Sequence, residues 1–349
     1  MQSCSPRKVF IRTDSNKTIS SGHVMRCLSL ADALAEAGAE VVFVTSDDTP
    51  QEVIEARGFP VAVLGSDWRN LMDGLERLMG LCEALPFSPV VLIDTYSVTK
   101  ECVDALSEVA RVCYLGSKGG DLGNLSLLIN YSTRVDPRAY ERLYAHRATR
   151  LLLGPKYAPL RKQFSQGSKA PVDSIGRVLV TTGNTDPRGF VPRFLEAVLA
   201  DEVLRSVNYE VVVGGMFSCE SAIEKVAEES GVINLNRGIR DMAPLMEICD
   251  AAVSANGTTV YELSAMGVPA VTFAMVDEQE VSAKSFAELG CTAYAGSLSE
   301  GVAAVAEKAA ALLRGFVEDP GCAEKLAGNA HRLIDGGGAG RIAKEVVSL

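Results

Sequence analysis

The 349-residue chain has only three histidines and one tryptophan, and aromatic residues make up 6% of it. So few histidines leave few candidates for proton transfer near neutral pH. Basic residues are also short: 34 Lys and Arg face 44 Asp and Glu, a formal net charge of −10. A nucleic-acid binder displays a basic stripe, and none dominates here, so no nucleic-acid partner is expected. No apolar run reaches the roughly 18 residues of a transmembrane helix. The first residues, Met1–Lys8, have no leader core or cleavage site, so no secretory leader is expected and a cytoplasmic location is. The nearest cysteines in sequence, Cys102 and Cys113, are too widely spaced for a CxxC metal or redox motif. Most cysteines, among them Cys82, Cys113 and Cys249, sit in apolar segments and read as buried, reduced thiols. No cluster of His, Asp or Cys has metal-ligand spacing, so neither a metal nor a cofactor is expected.

What the chain does have is an ordinary globular balance, 47% apolar and 22% charged, at a length that suggests about two domains. Short apolar runs alternate with amphipathic stretches. Lys8–Arg12, Glu40–Thr45, Val61–Leu64, Val90–Asp94 and Arg111–Leu115 read as buried strands. His23–Ala37 reads as a helix with Val24, Leu28, Ala31, Leu34 and Ala35 on one face, ended by Gly38. Strand–helix alternation implies a mostly parallel sheet. It pauses at Ser165–Gly176, a polar stretch without a period, and restarts with Arg177–Thr182, Tyr209–Val213, Ala251–Ser254 and Ala270–Ala274 as strands. The expected organisation is α/β with two Rossmann-like domains facing across a cleft. An N-terminal domain covers 1–164, a linker 165–176, and a C-terminal nucleotide-binding domain with a helical tail 177–349.

In such sheets, ligands bind beyond the carboxyl ends of the strands, so the strand-to-helix turns are where chemistry is expected. The first turn, Asp14–Arg26, includes Lys17 and Ser20, and ends in Gly22, His23 and Arg26. Gly22 allows close backbone approach. A helix N-terminus disfavours imidazolium, so His23 is expected to be a neutral proton acceptor, with Arg26 on the same face. The second turn, Asp94-Thr95-Tyr96, puts a carboxylate at a strand end, either facing a ligand or capping the next helix. The third, Thr182–Arg188, has Gly183, Asn184 and Thr185, then Asp186 as an N-cap before Pro187. The fourth, Ser254–Leu263, opens a helix with small residues and carries Glu262 about one turn in. Its N–H groups suit a diphosphate and the carboxylate suits ribose hydroxyls. An acidic protein binds an anionic sugar nucleotide through such groups.

Together these turns resemble the UDP-sugar hydrolase family of pseudaminic acid biosynthesis, which removes UDP from 2,4-diacetamido-2,4,6-trideoxy-β-L-altropyranose. The Ser20–Arg26 segment is similar to its G-x-G-H-x-x-R signature, with Ser20 in place of the first Gly. Asp94–Tyr96 matches Asp-x-Tyr, and Leu153–Arg161 with Phe164 resembles LGPxYAxLRxxF. Gly183–Asp186 is similar to the family's Gly-Gly-x-Asp loop, with Asn184 for the second Gly. Ser254–Glu262 and Gln279 look like the uridine-diphosphate elements of the related lipid II-forming glycosyltransferase, with Glu278 where Asn is common. Gly116-Ser117-Lys118 replaces an Asp-Asp pair that many members carry, which leaves the exact sugar open. The resemblance spans nearly the whole chain.

It implies a GT-B fold and metal-free, inverting hydrolysis at the anomeric carbon, the departing diphosphate stabilised by helix N-termini. By this resemblance His23 is the general base. Asp14, Gly22, Arg26, Asp94, Tyr96, Tyr157 and Arg161 form the sugar side. Gly183, Asn184, Thr185, Ser254, Ala255, Gly257, Thr258, Glu262 and Gln279 hold the nucleotide. Two alternatives share these residues: a GT-B glycosyltransferase using a UDP-sugar donor, and a catalytically silent sugar-nucleotide-binding protein. The Arg-rich stretch Arg138–Arg150 reads as a solvated helix, so no peripheral membrane contact is expected.

Overall fold

A computed structural model describes residues 7–16, 18–19, 21–165, 167, 173–218 and 220–349. Lys17, Ser20 and part of the expected linker lie outside the described residues. The chain divides into two compact units, Met1–Lys162 with Gly337–Leu349, and Gln163–Gly336.

The first unit runs β1 (Lys8–Thr13), α1 (Gly22–Glu36), β2 (Glu40–Thr45), α2 (Gln51–Glu55), β3 (Val61–Val63), α3 (Leu75–Glu83), β4 (Val90–Asp94), α4 (Lys100–Ser107), β5 (Arg111–Leu115), β6 (Leu127–Asn130), α5 (Pro137–Leu143) and β7 (Arg150–Leu153). Its seven strands are all parallel, in the order β3-β2-β1-β4-β5-β6-β7. Both sheet faces are covered, which is why the strands are apolar on successive residues. Val9 and Ile11 pack with Leu28 and Leu34 of α1, while Phe10 packs on the other face with Leu78 and Val103. The strand order reverses between β1 and β4, and there Thr13 pairs with Asp94. Helix α1 closes as its sequence suggests, with Gly38 at φ +86° and its N–H bonded to the Ala35 carbonyl.

The second unit comprises β8 (Arg177–Thr181), α6 (Phe190–Ala200), β9 (Asn208–Val213), α7 (Glu220–Ser230), β10 (Ile233–Arg237), α8 (Ala243–Ile248), β11 (Ala251–Ala255), α9 (Thr258–Met266), β12 (Ala270–Ala274), α10 (Asp277–Glu288), β13 (Ala293–Ser297), α11 (Val302–Glu318) and α12 (Pro320–Leu333). Its six strands are parallel in the order β10-β9-β8-β11-β12-β13, with the reversal between β8 and β11.

The last helix, α13 (Gly338–Val347), corrects the expected domain boundary, because it belongs to the first unit and not to the second. Ile342, Ala343 and Val346 join the core that α1 caps. The approach depends on glycine: a Cβ on Gly338 would collide with the Ala158 carbonyl oxygen and stand 2.7 Å from the Tyr157 carbonyl carbon. The start of α6 is a second correction. Asp186 is not the N-cap and Pro187 is not the first helical residue. Gly189 in the left-handed region precedes the helix, and the buried Asp186 carboxylate accepts from Phe190 N and Val191 N, each at 2.9 Å.

Among the described cysteines, Cys27, Cys82, Cys102, Cys113, Cys249 and Cys291 are buried, and Cys322 is exposed. Burial pushes the Cys82 thiol up to about 11 and Cys102 to about 12, so these thiols stay protonated at neutral pH. No described helix is long and apolar enough to cross a membrane.

Candidate active site

In the first unit, the reversal of strand order brings α1 and the end of β4 together. His23 is the second residue of α1 and only 5% exposed, and Asp94, the last residue of β4, is fully buried. Nδ1–H of His23 donates to Asp94 Oδ1 at 2.6 Å. Arg26 Nη2 also lies 2.9 Å from Nδ1; the proton is assigned to Nδ1 because the carboxylate, which only accepts, is the nearer partner. Nε2 is buried and has no hydrogen-bond partner among the described residues. A base held by a carboxylate on one ring nitrogen, with the other free to accept, is the orienter–base half of a hydrolytic triad.

Arg26, one turn along α1, completes the cluster. Its Nε donates to Asp94 Oδ2 at 2.6 Å, its Nη2 donates to Oδ1, and its Nη1 donates to the Tyr131 hydroxyl at 3.2 Å. Cys27 Sγ donates to Oδ2 at 3.2 Å. Burial pushes the Asp94 carboxyl up. The Arg26 guanidinium, by charge and hydrogen bonds, together with the His23 bond, overrides that and holds it below the ordinary carboxylate range. Asp94 is therefore an anion under the imidazole. The Tyr96 ring meets the His23 ring edge to face, centroids 4.6 Å apart and planes at 79°, yet Tyr96 is 71% exposed. The edge of this group is thus open to solvent.

The structure brings His23, Arg26, Asp94 and Tyr96 together, but two sugar-side assignments need correcting. Asp94 neither faces outward nor caps α4, whose N-cap is Thr99. Asp14 is buried as well, accepting from Ser46 N at 2.7 Å and from Arg12 Nη1 at 2.6 Å, so it ties two loops together. Arg26 likewise has its guanidinium engaged by Asp94 and Tyr131. Gly22 opens α1, and among the described residues no side chain caps that helix. Tyr157 packs against the core that α13 joins, with Lys156 Nζ 5.0 Å from its ring and Arg341 Nη1 donating to the Lys156 carbonyl at 2.8 Å, and Arg161 is half-buried. Tyr131 was missed because β6, which delivers it, is four residues long and follows an irregular stretch.

In the second unit, the Ser254–Thr258 turn joins β11 to α9. Gly257 and Thr258 are exposed, and no described side chain caps α9, so its Thr258 and Thr259 amides are open to an anion while Val260 N donates to the Gly257 carbonyl. Ser254 is turned inward, its hydroxyl donating to the Ala255 carbonyl at 3.0 Å, and Ala255 is buried. These two shape the turn and do not offer side chains to a ligand. Asn256 was not singled out from the sequence. It is 4% exposed, and its buried Oδ1 has no partner among the described residues. Gln279 Oε1 accepts from Met275 N at 2.9 Å and its carbonyl accepts from Asn256 Nδ2 at 3.4 Å, so Gln279 braces the turn. Glu262 lies half-buried in α9. After β8, Gly183 takes φ +83°, and Thr182 Oγ1 donates to the Thr185 carbonyl at 2.8 Å. Asn184 Oδ1 accepts from Gly215 N at 3.0 Å, binding this loop to the one after β9. No described group of three or more His, Cys, Asp or Glu has the arrangement of a metal site.

No family model matches the chain. It is 26% identical over 276 residues to an uncharacterized protein of Methanocaldococcus jannaschii, covering 76% of this chain and 55% of that protein. It is 30% identical over 170 residues to the spore coat polysaccharide biosynthesis protein SpsG of Bacillus subtilis, covering 46% of this chain and 50% of SpsG. The chain thus spans about half the length of the curated relatives it matches. Among solved structures, Acinetobacter baumannii MurG superposes with a TM-score of 0.66 at 15% identity, covering 99% of this chain and all of MurG. The UDP-GlcNAc 2-epimerase of Neisseria meningitidis, bound to UDP-GlcNAc, gives 0.63 at 10% identity over 98% of this chain and 100% of that one. At these identities the likeness is one of fold, and the fold is GT-B: two α/β units with parallel sheets of seven and six strands.

Proposed function

We propose that the chain hydrolyses a UDP-activated sugar at its anomeric carbon, with His23 as the general base. The observation that carries this reading is the imidazole itself: Nδ1 held by the buried Asp94 carboxylate, Nε2 without a partner among the described residues. In the proposed reaction, Nε2 takes a proton from water as its oxygen bonds to the anomeric carbon. The carbon–oxygen bond to UDP breaks with inversion, and UDP leaves with the bonding pair. The first-turn amides of α9 receive the diphosphate, and Glu262 accepts from the ribose hydroxyls. Asp94 and Arg26 act through His23 and do not touch the sugar. The substrate class, a UDP-diacetamido-trideoxy sugar on the way to a nonulosonic acid, rests on the family resemblance. A role in polysaccharide precursor metabolism is in keeping with SpsG, a spore coat polysaccharide biosynthesis protein.

A second reading is glycosyl transfer, in which an acceptor hydroxyl replaces water at the same base. It is favoured by the fold likeness to glycosyltransferases, among them the kitacinnamycin enzyme at a TM-score of 0.64. Incubating the full chain with UDP-diacetamido sugars and no acceptor separates the readings. Hydrolysis releases UDP, and His23→Asn lowers that rate about 10²–10⁴-fold with UDP affinity little changed. Release only after an acceptor is added overturns hydrolysis in favour of transfer. UDP-sugar binding without release under either condition makes the chain a binder.

A further inference from the structure

Lys118 occupies the stretch after β5 where the resembling family carries acidic residues, and the proposed reaction leaves it without a role. Its Nζ donates to the Tyr96 carbonyl at 3.4 Å and also to the Val98 carbonyl. Those carbonyls belong to the turn whose Tyr96 ring abuts His23. The turn around Lys118 is itself built. Lys118 N donates to the Tyr114 hydroxyl at 3.3 Å, and a Cβ on Gly116 would run into the Tyr114 ring. Tyr114 is 3% exposed, so the anchor of this turn lies in the core. On the other side, Ser97 Oγ donates to the Trp68 carbonyl at 3.0 Å, and Thr99 caps α4. Between these two fixed points Tyr96 projects into solvent, and the ammonium bridging two of the turn's carbonyls limits where its ring can go.

We propose that Lys118 is a positioning residue that fixes Tyr96 against His23, so that the base and the aromatic wall beside it form one preorganised unit. The proposal rests on His23 being the base. It differs from an acidic pair at this place in kind: carboxylates there would repel the carbonyl dipoles that an ammonium gathers.

The test reads His23 directly. With only three histidines in the chain, ¹³C-labelled histidine gives a spectrum in which the His23 signal is assigned by its loss in His23→Asn. Tyr96→Ala removes the ring and sets the reference displacement of the His23 signal. Lys118→Met, which keeps length and removes the donors, is expected to produce at least half of that displacement, and Lys118→Arg to restore the native position. In turnover, Lys118→Met lowers kcat about tenfold, the loss of one charge-assisted bond, with KM little changed. An unmoved His23 signal in Lys118→Met, with or without a fall in melting temperature, overturns the proposal. The spectral arm needs no substrate. A displaced signal in a protein that turns over no UDP-sugar refutes the proposed activity and leaves the positioning role standing.

Discussion

Asp94→Asn tests the centre of the site with a change of two atoms' chemistry and no change of shape. The native carboxylate only accepts: from His23 Nδ1 and Arg26 Nη2 at Oδ1, and from Arg26 Nε and Cys27 Sγ at Oδ2. Asparagine has one acceptor oxygen and one amide that only donates. With the amide at the Oδ1 place, His23 must accept on Nδ1 and carry its proton on Nε2, where it can no longer act as a base. With the amide at the Oδ2 place, it faces the Arg26 Nε–H and breaks the bidentate pair. Either orientation also leaves a guanidinium beside a neutral group. Removing one partner of a buried pair costs about 3–5 kcal/mol, and because Arg26 keeps 21% of its side chain exposed, we expect the low end, about 3 kcal/mol. Turnover should fall about 10²–10⁴-fold as the base is lost, while UDP binding, proposed for the second unit, stays near native. The assays are UDP release, UDP titration and urea denaturation. Native turnover in a folded variant would refute the account of Asp94 as the orienter of His23. The pH dependence carries its own sign. The folded carboxyl lies below its unfolded value of about 3.9, so its contribution is complete above that pH and disappears as pH falls through the folded value. The stability gap between native protein and variant should therefore narrow below about pH 4.

Glu262→Ala should weaken UDP binding by about 1.5–3 kcal/mol, the worth of hydrogen bonds to a charged group, and unchanged affinity by titration would remove Glu262 from the nucleotide site. Gly338→Ala should lower the urea midpoint by the equivalent of about 1–3 kcal/mol, because the new methyl meets the backbone of Tyr157 and Ala158; an unchanged midpoint would show that α13 seats less tightly than the structure has it.

Much of the fold was legible because a parallel sheet covered on both faces writes continuous apolar runs, as in Val90–Asp94 and Arg177–Thr181. The strands that escaped notice lack that signature or carry it only briefly. β10 (INLNR) is an edge strand with alternating polar residues, β13 (AYAGS) is an edge strand of mostly small ones, and β6 and β7 are only four residues each. The site was legible to the extent that it follows from topology. His23, Arg26, Asp94 and Tyr96 all stand at strand-to-helix turns where strand order reverses, at β1 and β4, and ligands in such sheets bind at that reversal.

Sequence by itself determined the class of the fold, two alternating α/β units with parallel sheets, and the turns that hold the chemistry-bearing residues, since both follow from local periodicity and chain order. Tertiary structure decided which carboxylate faces the histidine. Asp14 and Asp94 both end strands of the same sheet, yet one is bound to Arg12 and Ser46 and the other to Arg26 and His23. It also decided where the chain's last helix goes. The apolar face of α13 is plain in its periodicity, but only the close glycine contact at Gly338 and the open side of the first unit's core send it back across the chain. Each depends on a partner far away in sequence, and hydrogen bonds and buried surface between distant residues leave no local trace.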